Sequence, residues 1–455
     1  MQSALEREHV DARQLGELLV VTDAVQSFAD RAAGSASGAQ AISQAILRHI
    51  RARAAAGAFD RWSIGVPRDT PLALPAQVAE WLGDDDGHRH LYPLEVAALM
   101  TVALRAKGVP AMIAEVYQFR GDRAPADASG QIGYFAVAVY PGEPGEGDPR
   151  FYDPYGGREV QPEAERVLTD LQAIGQALNH RALHLLARES DAERAMDESS
   201  SAMRLDRRSP GVRAVRGAVL IAAAQPNEGL QELEAARQLR DDPPRRNLLA
   251  QIYFAQGDLD AASSQVSSAL EDAPDFAAGR ATLAAIQLAR GESDLARGEL
   301  EEARRADPDL HLLPMLWAEY YAVTGDTDRA VTEASEGIRR NPGDLRSRLM
   351  AARIYRQAAR YDLMRREARA ILERTPPARR PEMEQLVTRL LGPTALDPEE
   401  DALASAEEDE GLDDEGLEDE GPSEPGGLRL DSSLMGGGAQ GPSVLGGGGR
   451  GPSLL

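Results

Sequence analysis

The chain has no cysteine. Disulfides, thiolate metal sites, thiol nucleophiles and cysteine lipidation are therefore excluded. Aromatic residues are scarce, 5% against a hydrophobic fraction of 42%, a balance that suits small-residue helical packing better than a β-rich core. No stretch approaches the roughly 20 apolar residues of a membrane-spanning helix. Residues 1–20 are charged and lack the apolar core of a signal peptide. Lysine is almost missing: Lys107 stands alone and the other basic residues are arginine. That bias, with abundant Ala and Gly, points to a high-GC bacterial genome. The net charge of −24 argues against nonspecific binding to nucleic acid or to an anionic membrane. A soluble, cytoplasmic protein without direct membrane insertion is expected, or a periplasmic one if an N-terminal leader is missing from the chain as written.

Charge is unevenly spread. Residues 397–455 carry 16 acidic residues and 2 Arg, so this segment supplies −14 of the total. It begins as "DPEEDALASAEEDEGLDDEGLEDEG" and continues as a Gly-rich run. Neither half can bury enough apolar surface to offset chain entropy, so disorder is expected over 394–455.

Upstream, a period is present. Pro274, Pro308, Pro342 and Pro376 are equally spaced, and Gly257, Gly291 and Gly325 keep the same interval, as do Ala262, Ala296 and Ala330. Tyr253, Tyr321 and Tyr355 fall in the same register. Gly can end a first helix in a left-handed conformation, a small Ala lets two helices approach, and Pro breaks the second helix. The pattern, with its period of roughly 34 residues, resembles the tetratricopeptide repeat. It implies an all-α solenoid over 176–391, with four clear units at 243–378, two weaker ones near 176–209 and 210–242, and "RPEMEQLVTRLL" as a capping helix. The resemblance further implies a concave groove for a protein or peptide ligand. In the family register its lining includes Asn247, Gln251, Phe254, Leu288, Met315, Glu319, Leu349, Arg353 and Arg356. The far end is basic: from Arg346 to Arg380 there are 11 Arg against 3 acidic residues. The acidic segment that follows is a candidate intramolecular ligand.

Residues 1–165 read as a small α+β domain. Helical spacing recurs before residue 60, "AQVAEWL" reads as a short helix, and a mostly apolar helix runs from Pro93 to Lys107. "AMIAEVYQF", "GYFAVAVY" and "RFYDPYGG" read as strands. Counting back from "GVP" at 108–110 places Arg105, Ala97 and Pro93 at spacings that resemble the transglutaminase-like, papain-like family. There a Cys opens the helix, a His opens a later strand, and an Asp precedes Pro. The corresponding positions here are Pro93, Tyr134 and Asp153, so the resemblance implies a degenerate triad and a non-catalytic domain. A proline lacks a nucleophile but suits the first turn of a helix.

Glu95 could pair with Asp153 for acid–base work, yet a carboxylate three residues into a helix is more simply a cap. Asp84, Asp86, His88 and His90 suggest a cation site, but their spacing fits no specific metal, and a solvated loop is the simpler reading. No phosphate-binding Gly loop is present, so neither metal nor cofactor is expected. The leading expectation is a non-enzymatic interaction scaffold. The alternatives are an enzyme of the same fold with relocated catalytic residues and a periplasmic envelope-assembly component.

Overall fold

The computed structural model describes Leu5 and residues 15–61, 71–83, 89–122, 126, 129–186, 191–375 and 377–396. It is mostly helical with one small antiparallel sheet. Among the described residues the chain divides into two compact units, the first running to residue 286 and including 301–310, the second formed by 287–300 and 311–396. The expected disorder of 394–455 falls, from residue 397, outside the described residues.

The first unit opens with helices α1 (Asp23–Ala33), α2 (Ala39–Ala55), α3 (Pro75–Trp81) and α4 (Pro93–Ala106). Strands β1 (Phe59–Arg61) and β2 (Arg89–Leu91) form a short parallel pair. Strands β3 (Ala111–Phe119), β4 (Tyr134–Val139), β5 (Arg150–Asp153), β6 (Arg158–Val160) and β7 (Pro162–Val167) form a sheet in the order β6-β5-β4-β3-β7. Every residue of α4 from Pro93 to Leu104 is buried. This follows from a helix that is apolar on all sides, surrounded by α1, α2, α3 and the β3–β4 face. Its last turn is tied down by Arg105, which donates to the Ala111 carbonyl at 2.8 Å and to both carboxylate oxygens of Asp170 at 2.8 and 3.0 Å.

β6 and β7 were not legible in the sequence. β7 opens on Pro162 and lies at the sheet edge, where a missing ladder donor is tolerated. It carries the sheet to residue 167, past the expected end near 165.

Helical pairs then follow, beginning at Asp170 rather than near residue 176. In the first unit they are α5 (Asp170–His184) with α6 (Ala192–Leu205), α7 (Pro210–Ala222) with α8 (Pro226–Leu239), and α9 (Pro243–Ala255) with α10 (Leu259–Asp272). α11 (Ala277–Ala289) and α12 (Ser293–Ala306) come next in the chain. The second unit contains the pairs α13 (Leu313–Thr324) with α14 (Thr327–Arg340) and α15 (Leu345–Gln357) with α16 (Tyr361–Arg374). There α17 (Arg380–Leu391) packs on α15 and α16, and a 3-10 turn, Pro393–Leu396, packs on α16 and α17.

The repeat positions do what the period predicts. Gly257, Gly291 and Gly325 have φ of 80°, 77° and 84°, and Ala262, Ala296 and Ala330 are buried. Two further residues share the left-handed turn without being glycine: Ala224 at φ 60° and Ala359 at φ 53°. Ala359 follows Gly325 at the full repeat interval, but Ala224 precedes Gly257 by an interval one shorter. Gly229 then matches Ala262 with the same shortened interval. At Gly229 a Cβ would lie 2.5 Å from Ile221 Cγ1 and 2.7 Å from the Gly217 carbonyl, so α7 and α8 meet at glycine where the next three pairs carry Ala262, Ala296 and Ala330. The connector after α8, residues 240–242, is one shorter than residues 273–276 after α10. That slip is why the early units read as weak.

The sheet domain is fastened along these connectors. Arg166 on β7 donates to Glu115 Oε2 at 2.7 Å and to Asp206, in the connector after α6, at 2.6 and 2.7 Å. Gln176 also donates to Asp206, at 2.7 Å. Both carboxylates are buried. The Arg240 guanidinium, in the connector after α8, lies 4.2 Å from the Tyr117 ring. The turn before β4 completes the seam: Asn179 donates to the Gln131 carbonyl at 2.9 Å, and Gly130 sits against Pro244 so closely that a Cβ would lie 3.2 Å from it.

Candidate functional site

At the start of α4, Tyr92 is the N-cap and Pro93 takes the first helical position, where its missing N–H costs nothing. Glu95 Oε2 accepts the Tyr92 N–H at 2.7 Å and Oε1 accepts the Ala73 N–H at 2.5 Å. The carboxylate is fully buried. Both of its oxygens are committed to backbone, so Glu95 is a cap and a tether for the segment before α3, and an acid–base pairing with Asp153 has no support.

Tyr134 and Asp153 do come together. The Tyr134 hydroxyl lies 3.1 Å from each Asp153 oxygen. Asp153 is buried and accepts the Gly156 N–H at 2.7 Å, while Arg158 Nε stands 3.8 Å from its other oxygen. Gly156 is required here: a Cβ would fall 2.1 Å from Asp153 Oδ2. The Tyr134 ring meets Phe119 and Tyr155 edge to face, at 5.4 and 5.9 Å between centroids. Beside this pair opens a cleft of about 770 Å³, lined within the first unit by Phe119, Asp122, Tyr134, Arg158, Arg280 and Arg305 among others. Tyr152 is fully buried, which pushes its hydroxyl pKa up. Of the four residues suggested as a cation site, Asp84, Asp86 and His88 lie outside the described residues, and His90 is exposed on β2.

The nine groove positions divide. Asn247, Phe254, Leu288, Met315 and Leu349 are buried in the helical packing and present no open surface. Met315, for example, packs where a Cβ on Gly337 would lie 2.9 Å from its Cε. The period marks which face of a helix turns inward, and it does not separate a core side chain from a groove side chain. Gln251, Glu319 and Arg353 are half-buried and Arg356 is exposed. Gln251 donates to Thr282 at 3.3 Å, and Arg356 donates to the Leu390 carbonyl at 3.0 Å, closing the C-terminal end of α17.

Glu319 is the unusual member. Its Oε2 is buried with no hydrogen-bond partner among the described residues. Burial pushes its pKa up to about 7, against the pull of Arg353 on the next first helix. A buried polar atom left unsatisfied costs roughly 1–3 kcal/mol. Sequence reading placed Glu319 in the groove but had no signal for this environment, which depends on what covers the carboxylate.

A family model described as tetratricopeptide repeat matches residues 253–313. No curated protein sequence matches the chain. Among solved structures, the chain is similar to a thermophilic tetratricopeptide-repeat protein of Thermus thermophilus, at 19% identity and a TM-score of 0.36, over 40% of this chain and 99% of that one. It is similar to PilF of Pseudomonas aeruginosa at 15% identity and a TM-score of 0.34, over 48% of this chain and 99% of that one. It is also similar to yeast Tom70 at 13% identity and a TM-score of 0.37, over 48% of this chain and 47% of that one. The chain thus carries tetratricopeptide repeats.

Proposed function

We propose that this chain is a non-catalytic interaction scaffold, in which the tetratricopeptide stack binds a protein or peptide segment and the sheet domain is an inactive relative of the transglutaminase-like fold. The observation that carries the first half is the repeat match over 253–313, supported by the left-handed turn at Ala224, Gly257, Gly291, Gly325 and Ala359 and by the buried Ala262, Ala296 and Ala330. Stacked repeats bury one face between neighbours and leave an extended surface for ligands. Gln251, Arg353 and Arg356 are the groove positions open to a partner segment, and the half-buried Glu319 shares their register. A photo-crosslinking side chain placed at Gln251 or Arg353 in the purified full chain, followed by mass spectrometry of the adducts, tests this reading. A defined partner peptide lost on Glu319→Lys supports it, and adducts unchanged by that substitution refute it.

The second half rests on Pro93, which opens the buried helix without a nucleophile, and on Tyr134, whose phenol stands where a histidine shuttle would be needed and donates to Asp153. A thiolate in that place would be activated by the helix N-terminus and a histidine shuttle, and neither group is in the sequence at these positions. Amine incorporation and peptide hydrolysis by the full chain are expected to be absent. Turnover that disappears on Asp153→Asn would sink the proposal.

A further inference from the structure

We infer that the acidic run Glu407–Glu420 of this same chain docks on the arginine surface of α15 and α16, and so occupies the basic end of the repeats until a partner displaces it. The inference rests on the reading of the repeats as a ligand-binding surface.

The arginines invoked are Arg353 and Arg356 on α15, Arg365 and Arg374 on α16, and Arg380 at the start of α17, on three helices that pack on one another. None of these five has a carboxylate within ion-pair distance among the described residues, whereas Arg348 and Arg366 are both neutralised by Glu367, and Arg360 stands 3.8 Å from Asp328. Arg365 is half-buried, and its buried Nε has no hydrogen-bond partner among the described residues. Between Arg346 and Arg380 the chain carries a net charge of +8. The structure therefore concentrates cations on one pair of helices and leaves many of them without local anions.

The point where the described chain ends is the second observation. The turn Pro393–Leu396 lies against α16 and α17, with Ala395 fully buried. The next residue is Asp397, and ten of the fourteen residues of Glu407–Glu420 are acidic. Eleven Cα-to-Cα steps lead from Leu396 to Glu407. Fully extended they reach about 36–40 Å, while a helix of the length of α16 spans only about 21 Å. The acidic run can therefore reach any part of this surface. A tether this short gives an effective concentration on the order of millimolar. Each exposed pair contributes little, about 0.2–1 kcal/mol, but several engaged together at that concentration suffice to keep the surface occupied.

The test uses the full chain. In one version the ten carboxylates of Glu407–Glu420 are changed to their amides, which touches none of the described fold. The probe is a fluorescent peptide with the sequence of residues 397–424, read by anisotropy at micromolar protein. The amide version is expected to bind the probe, and the unaltered chain to bind it about tenfold more weakly, because its own run competes at millimolar effective concentration. Raising salt from 0.1 to 1 M, which shortens the Debye length from about 10 to 3 Å, should abolish both. In the amide background, Arg353→Gln with Arg380→Gln should weaken probe binding further, and circular dichroism checks that the helices persist. Failure of the amide version to bind the probe overturns the inference. So does equal binding by both versions, or a block by the unaltered chain that grows with protein concentration, since that would place the run on a second copy. None of these results bears on whether a partner segment binds at Gln251, so this inference and the scaffold reading fail separately.

Discussion

The two compact units are held together by different means. In the first, a sheet domain is joined to helical pairs by single, non-recurring contacts: Arg166 between two buried carboxylates, Arg240 over Tyr117, Gly130 against Pro244. In the second, three described ion pairs are helix-local and on the solvent side, such as Arg339 and Arg340 with Glu336, beside one buried pair, Arg348 with Glu367, and packing follows positions that recur once per repeat. Contacts of the first kind are few and costly to lose. Those of the second are many and individually weak. Sequence similarity reports recurring positions and misses single contacts, and the family match at residues 253–313 covers only helical pairs, none of the sheet domain.

The sharpest test of that contrast is Arg166→Met. It leaves Glu115 and Asp206 buried without their common cation, and breaking a buried pair from one side costs about 3–5 kcal/mol. Arg339→Ala in the second unit removes an exposed i,i+3 pair and should shift the midpoint little, because solvent screens such a pair. Urea denaturation read with Trp81 for the first unit and Trp317 for the second separates them. Similar midpoint shifts for the two variants would erase the distinction.

Next in size is Gly229→Leu. The α7–α8 contact has no room for a side chain at this position, and overpacking of this kind costs about 1–3 kcal/mol. The loss should appear as earlier unfolding of the first unit by calorimetry, with the second unaffected.

Glu319 gives a pH-dependent test. Its folded pKa is raised to about 7 above an ordinary value near 4.3. The folded state therefore binds more protons between those values. The stability contributed by the protonated form is complete below about pH 4 and lost as pH rises through 7. Glu319→Gln should leave the second unit nearly unchanged at pH 4.5 and stabilise it by up to about 4 kcal/mol at pH 8, since one pKa unit corresponds to about 1.4 kcal/mol. A constant difference between variant and parent across that range would show the carboxylate to be solvated. The smallest effect is Ala359→Gly, expected to raise stability by up to about 1 kcal/mol, because a left-handed backbone costs alanine roughly 1–2 kcal/mol and glycine little. Gly325→Ala is the mirror experiment and should cost about the same.

What the sequence disclosed follows the same division. The helix from Pro93, the strand Ala111–Phe119 and the repeats from residue 243 were legible, because each is written in periodic apolar spacing or recurring turn residues. Glu95 was legible as a cap from its place in the first turn. β6, β7 and the Arg166 network left no trace, since such short strands have no measurable period and a partner remote in the chain is set by tertiary packing. Ala224 and Ala359 hid two repeat turns because alanine does not announce a positive φ. The groove positions were found as a face and not as a surface. Whether Leu288 or Glu319 meets solvent depends on neighbours that no single helix encodes.

The seam along the connectors after α6 and α8 has a mechanical consequence. In a simple solenoid each repeat touches only its neighbours, so tension applied at the ends peels repeats away one by one, each at its own modest force. Asp206, Arg240 and Pro244 lie in successive connectors or just beyond them, and all three are gripped by one sheet domain. Those early repeats are splinted in parallel and must yield together, at one high force. The pairs of the second unit have no such splint among the described residues. Under tension the splinted repeats of the first unit should resist as one block, while pairs without a splint yield singly.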